Sequence, residues 1–147
     1  MKLKYKFEME IKKPLEEVIR LFANRDNLSK WQKGLLSSEF IADPNGRQRY
    51  LLMYKLGRRK MKMTETILKN ELPAHYDVNF KLKGAQHTTH NSFYSSGYDS
   101  TKWVSEVEYN FSGFMKILAR FIKSGFEQQS LMYMKSFKAF AEKHGRP

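Results

Sequence analysis

Glu65 is the carboxylate best placed to do chemistry in this chain, because it shares the parity of Met61, Met63 and Ile67 while Lys60, Lys62, Thr64 and Thr66 alternate with them. If the methionine face is the inner one, a carboxyl group enters an apolar cavity, where desolvation makes it a candidate acid or a polar ligand anchor. The alternatives are a salt bridge to a nearby Lys or Arg, or a shift of the strand. Four histidines, His75, His87, His90 and His144, are the other groups able to titrate near neutral pH. A metal site or a proton relay needs two on one face, but His87 and His90 stand three apart on an alternating segment and so point to opposite faces. Each is read first as a surface or hydrogen-bonded imidazole, and second as a general acid or base in a pocket. Arg58, Arg59, Lys60 and Lys62 form the densest basic cluster, at a turn and the strand after it. Its plain reading is a solvated loop, and its functional one a patch for phosphates or anionic lipid headgroups. The absence of cysteine excludes a disulfide scaffold, a thiolate zinc site, an iron–sulfur cluster and a cysteine nucleophile. The glycines are isolated and form no phosphate-binding loop or dinucleotide fingerprint, and no serine lies in the glycine-flanked elbow of a hydrolase. Neither a metal nor a cofactor is expected.

The elements that must position these residues follow from hydrophobic periodicity. Leu3, Tyr5, Phe7, Met9 and Ile11 alternate with Lys2, Lys4, Lys6, Glu8, Glu10 and Lys12, a strand with one wet face. Pro14 can open a helix, Glu16 and Glu17 suit the positive end of its dipole, and Leu15, Val18, Ile19 and Phe22 form its buried stripe. Asn24-Arg25-Asp26-Asn27 breaks that helix, and residues 28–31 read as a second short helical turn before Gly34. Alternating segments then run over 35–41, 49–56, 60–68, 76–82, 86–94 and 103–111, separated by turn chemistry, which describes an antiparallel meander. From Phe114 to about residue 143 there is no proline, and Leu118, Ile122, Phe126, Gln129, Tyr133, Phe137 and Phe140 recur at steps of three and four. This is a long C-terminal helix whose stripe must lie on something. The fold class is therefore α+β: a curved seven-stranded antiparallel sheet wrapped around the C-terminal helix, with two short helices after strand 1.

A chain of 147 residues is the length of one domain, and a 41% hydrophobic, 14% aromatic composition supplies a core and excludes a disordered chain. The net charge of +12 raises three partners: nucleic acid, an anionic membrane surface, or an acidic small molecule. The aromatics fall mainly on inward parities rather than between basic residues, and no common nucleic-acid motif is present, so nucleic acid ranks last. The charged alternation at the start offers no signal peptide, and no apolar run is long enough to span a membrane; a cytoplasmic protein is the expectation.

The order of elements, together with the stretch from Ile11-Lys12-Lys13-Pro14 to Leu21-Phe22, then Asn27-Leu28-Ser29-Lys30-Trp31 and Gly34, resembles the START-like helix-grip superfamily in its polyketide cyclase/dehydrase and lipid-transport branch, often called SRPBCC. In that family a strand ends at a proline-started helix and a Trp follows the second helix. The likeness is specific over residues 7–35, weaker over 137–142, and architectural elsewhere. It implies a START-like ligand-binding domain over 1–147, with a small hydrophobic or amphipathic molecule held between sheet and C-terminal helix, and it supplies no shared catalytic motif. The large side chains expected to meet there are Trp31, Met63, Phe80, Phe93, Trp103, Tyr109, Phe126, Tyr133 and Phe137, with Glu65, Gln129 and the tyrosine hydroxyls as polar tips. A binding or transport module ranks above a cyclase/dehydrase-like enzyme using the same pocket, because an enzyme needs paired ionisable groups and only one carboxylate stands out. The charge carries a separate expectation: at an anionic membrane Arg58, Arg59, Lys60 and Lys62 should contribute about 1 kcal/mol each, in a salt-sensitive way.

Overall fold

Strict charge and apolar alternation lets a strand keep one face in water and one in the core, and β1 (Lys2–Ile11) does this, burying Leu3, Phe7 and Ile11. The computed structural model describes residues 2–144, apart from the side chains of Leu56 and of residues 118–124. After β1 come α1 (Leu15–Ala23), a 3-10 turn (Arg25–Asn27) and α2 (Leu28–Trp31). Six strands follow: β2 (Leu35–Ile41), β3 (Arg49–Leu56), β4 (Arg59–Glu71), β5 (His75–Leu82), β6 (Ala85–Gly97) and β7 (Ser100–Phe111). The chain closes with α3 (Phe114–His144). All neighbours are antiparallel in the order β1-β7-β6-β5-β4-β3-β2, so β1 and β2 are the two edges.

The seven strands, two short helices and long helix read from the sequence are all present, but β4 and β6 run further than their apolar alternation. β4 continues to Glu71 and β6 to Gly97, because backbone pairing with β5 and β7 persists where the side chains no longer alternate. The β6–β7 connection is consequently the tight pair Tyr98-Asp99 rather than a longer loop.

α1 starts at Pro14, carries Glu16 and Glu17 in its first turn, and buries Val18 and Leu21. Gly34 lets the chain pass from α2 into the sheet. Its φ is +89°, its carbonyl accepts from Lys55 N at 2.7 Å, and a Cβ there would lie 2.8 Å from the Lys55 carbonyl oxygen. α3 packs mainly on β1, α2 and β7. Its C-terminal part is fastened to β1 by Lys138, whose Nζ donates to the Glu10 carbonyl at 2.6 Å, and by Glu142, which accepts from Lys12 N at 2.8 Å. Leu118 and Ile122 of the expected stripe lie outside the described side chains.

The registers also fix which loops share an end of the sheet. Lys2 stands opposite Asn110, Asn110 opposite Gln86, and Leu82 opposite Ala85. The β3–β4 turn, the β5–β6 turn, the start of β1 and the first turn of α3 therefore lie at one end. The β2–β3, β4–β5 and β6–β7 turns and the start of α1 lie at the other.

Candidate functional site

Where α3 and the middle strands are held apart, a cavity of about 410 Å³ remains. Its sheet wall comes from five strands, among them Tyr54 of β3, Met61, Met63 and Glu65 of β4, Tyr76, Val78 and Phe80 of β5, His87 and Thr89 of β6, and Trp103 and Tyr109 of β7. α3 contributes Phe126, Gln129, Ser130 and Tyr133, and the α1–α2 segment contributes Phe22, Arg25, Leu28 and Trp31. One row crosses the sheet through Tyr50, Glu65, Phe80, His87 and Tyr109, each directly opposite the next. Side chains in such a row share a face, so the register alone delivers a carboxylate, an imidazole and three aromatic rings to the same side.

Nine of the eleven expected pocket residues are in this wall: Trp31, Met63, Glu65, Phe80, Trp103, Tyr109, Phe126, Gln129 and Tyr133. Gln129 is exposed and stands at the rim. Phe93 and Phe137 are corrections. Phe137 is 0% exposed and packs edge-on against Phe22, Trp31 and Trp103. Phe93 stacks on Trp103 at 5.4 Å and meets Phe22 at 4.9 Å. Both have the inward parity that suggested a cavity, but here α3 and α1 converge on the sheet and the space closes into core. Arg58, Arg59, Lys60 and Lys62 are exposed at the β3–β4 turn and do not line the cavity.

At one end of the row, Glu65 is 5% exposed and accepts from Arg25 Nη2 at 2.6 Å, so it is an ion-paired carboxylate rather than an unpartnered acid. Arg25 also donates to Ser38 Oγ at 2.9 Å, and its guanidinium carbon lies 3.4 Å from the centre of the Tyr50 ring. Beside it Tyr76 is pushed up to about 12 by burial, with the Glu65 carboxylate adding to the shift and Arg25 opposing it. Burial raises Tyr54 further, and its hydroxyl donates to Gln32 Oε1 at 2.7 Å.

The other end of the row is neutral. His87 stacks between Phe80, at 4.8 Å, and Tyr109, at 4.9 Å, and burial lowers its pKa to about 4. Its imidazole makes no hydrogen bond among the described residues and borders the cavity, which differs from the surface or hydrogen-bonded imidazole expected first. His90 faces out, with Nδ1 3.2 Å from Asp77. Two strand spacings separate Glu65 from His87, roughly 10 Å, so they do not form an acid–base pair on one atom. Of the remaining polar tips, Trp31 Nε1 is buried and finds no hydrogen-bond partner among the described residues, while those of β7 are engaged. Trp103 Nε1 donates to Asn91 Oδ1 at 3.0 Å, and the Tyr109 hydroxyl lies 2.7 Å from Ser130 Oγ, tying β7 to α3.

No family model and no curated protein matches the sequence. Solved structures do match along almost the whole chain. The aromatase/cyclase Zhui from a Streptomyces species superposes with a TM-score of 0.82 at 9% identity, covering 99% of this chain and 97% of that one. A conserved protein from Geobacillus kaustophilus gives 0.77 at 18% identity, with 98% of each chain covered. Norcoclaurine synthase from Thalictrum flavum, in complex with dopamine and hydroxybenzaldehyde, gives 0.71 at 15% identity, covering 100% of this chain and 90% of that one.

The fold is the START-like helix grip.

Within this helix grip the sequence had marked the walls and Glu65 as a polar anchor, but not the arginine that pairs with it. Arg25 lies in a segment legible only as a helix breaker, and its partner is 40 positions away, so no local pattern joins them. Phe22 was legible as a buried helix residue, yet it is the hub that touches Trp31, Tyr76, Phe93, Trp103 and Phe137. Tyr76 was within reach, since it shares the parity of Phe80 on β5.

Proposed function

We propose that this helix grip binds or transports a small hydrophobic or amphipathic molecule in the cavity between the sheet and α3. The observation that supports this most is the character of the wall: about 410 Å³ bounded mainly by aromatic and aliphatic side chains, with most polar tips already satisfied by protein partners. That volume falls in the range of small-molecule sites, and apolar burial is the main source of affinity in them. Arg25 with Glu65 supplies a polar end and His87 a hydrogen-bonding point along the row, so the fitting ligand has an apolar body and one or two neutral polar groups. The solved neighbours include proteins whose names denote an aromatase/cyclase and a synthase bound to two aromatic compounds, which agrees with an aromatic or polycyclic ligand.

Mass spectrometry of the purified protein under native conditions, followed by displacement of an environment-sensitive apolar dye, tests the reading. Dye uptake should fall at least about tenfold in Val78→Trp, which fills the cavity from the middle of β5 with an apolar group worth a few kcal/mol of displaced ligand contact. Dye binding untouched by that filling, with no co-purified apolar molecule, refutes the cavity as a ligand site.

One observation favours a second reading, a cyclase-like enzyme. A neutral imidazole with no hydrogen bond among the described residues, facing an apolar cavity, is a group able to take a proton from a bound carbon acid. Incubation with a poly-β-carbonyl substrate separates the two readings. A cyclised product lost in His87→Gln, with dye affinity retained, supports catalysis; absence of any product leaves the carrier.

A further inference from the structure

Charge is unevenly distributed between the two ends of the sheet. At the end formed by the β3–β4 turn, the β5–β6 turn and the start of α3, Arg58, Arg59, Lys60, Lys62, Lys83 and Lys116 are all exposed, and none takes part in an ion pair among the described residues. The sequence offers them no local partner, since residues 51–64, 78–98 and 110–126 contain no Asp or Glu. The nearby pairs, Lys2 and Lys4 with Glu108, lie along the β1 edge. Elsewhere the pattern reverses: Arg49 meets Asp43, Lys69 meets Glu71, Lys102 meets Glu8 and Lys138 meets Glu142.

The same basic end presents apolar surface. Phe114 is 71% and Ile117 58% exposed, three residues apart on one face of the first turn of α3. The cavity reaches this end too, since Met61, Leu82, Ala85 and Met115 line it. The β5–β6 turn lies close against α3, so close that a Cβ on Gly84 would come within 2.9 Å of Met115 Cγ.

We propose that this end of the molecule is a docking surface for an anionic lipid bilayer, with the unpaired basic side chains at the headgroups and Phe114 and Ile117 entering the headgroup–acyl boundary. Cations without protein partners are attracted to a negative surface within a Debye length, and exposed apolar side chains beside them gain by leaving water. A nucleic acid fits the charge but not the apolar pair, since Ile117 offers a base no stacking surface. The proposal extends the cavity reading by placing the end of the cavity nearest the bilayer, where an apolar ligand could pass without crossing water.

Co-sedimentation with phosphatidylcholine vesicles, with and without phosphatidylserine, at low and high salt tests it on the full chain. Binding should require phosphatidylserine and weaken with salt. The variant R58Q/R59Q/K60Q/K62Q should lose about 600-fold, at roughly fivefold per cation. F114A/I117A should lose about tenfold while keeping the salt dependence. A control with the same net charge, K12Q/R47Q/K102Q/K143Q at the opposite end, should bind nearly as the parent does. Equal losses in the two neutralised variants, equal binding to both vesicle types, or tight binding to duplex DNA with none to vesicles would each overturn the proposal. Dye displacement in the same variants keeps the readings apart: vesicle binding without dye uptake refutes the cavity and leaves the docking surface, and the reverse refutes the surface.

Discussion

His87 connects the chemistry of the wall to the stability of the protein. Burial lowers its folded pKa to about 4 from the ordinary value of 6.5, so on acidification the unfolded chain takes up the proton first. The stability contributed by the neutral imidazole is complete above pH 6.5 and is lost as pH falls from there toward about 4, by up to about 1.4 kcal/mol per pH unit. Urea unfolding between pH 7 and pH 4.5 should show this decline in the parent and a flatter one in His87→Gln, which cannot titrate; parallel curves would contradict a buried neutral His87. Arg25 and Glu65 give a second prediction, because their side chains are unequally exposed, 26% against 7%. Removing the arginine strands a buried carboxylate, whereas removing the carboxylate leaves a guanidinium that still reaches water, Ser38 and the Tyr50 ring. Arg25→Gln should therefore cost about 3 kcal/mol and Glu65→Gln about 1, with the double variant well below their sum. A reversed order would mean that Glu65 is not the buried member of the pair.

At the scale of elements, α3 is half wall and half core, and mutation should separate the halves. Phe137→Ala empties a fully closed site among Phe22, Trp31 and Trp103 and should cost about 3–5 kcal/mol in chemical unfolding. Phe126→Ala, from the cavity side of the same helix, should cost less than half of that and shift dye selectivity toward larger probes. Similar costs at both positions would mean that the space beside Phe126 collapses to core. This division was not legible in the sequence, where Phe126, Tyr133 and Phe137 follow one stripe; only the convergence of α3 with α1 and the sheet distinguishes them. The strands were legible because one face is wet, so Lys2 to Glu10 and Lys60 to Thr66 announce their alternation. The walls followed from parity, and Met63, Phe80 and Tyr109 were found that way. Arg25, by contrast, owes its place to a 3-10 turn and a pairing across 40 residues, and parity carries no information about a turn. That His87 finds ring contacts but no hydrogen bond among the described residues is likewise set by what lies around the cavity, not by its neighbours in the chain.

At the scale of the whole molecule, the open sheet leaves two rims with very different protection. β1 carries exposed Lys2, Lys4, Lys6, Glu8 and Glu10 along its length, and Lys138 occupies the Glu10 carbonyl. β2 has no such guard: its one charge is Glu39, while Leu36 is 51% and Phe40 66% exposed. An unpaired strand edge with apolar side chains is a template for further strands, and long-range repulsion from +12 charges is the main force keeping copies apart. Salt removes that repulsion without touching the edge. Concentrated protein in high salt should therefore polymerise through β2, with a lag followed by light scattering, and Phe40→Lys should lengthen the lag severalfold while Glu10→Gln on the β1 rim, which raises the net charge by the same amount, gives no comparable protection. The strand that closes the grip on one side is thus also where the soluble state is most exposed to becoming a fibre.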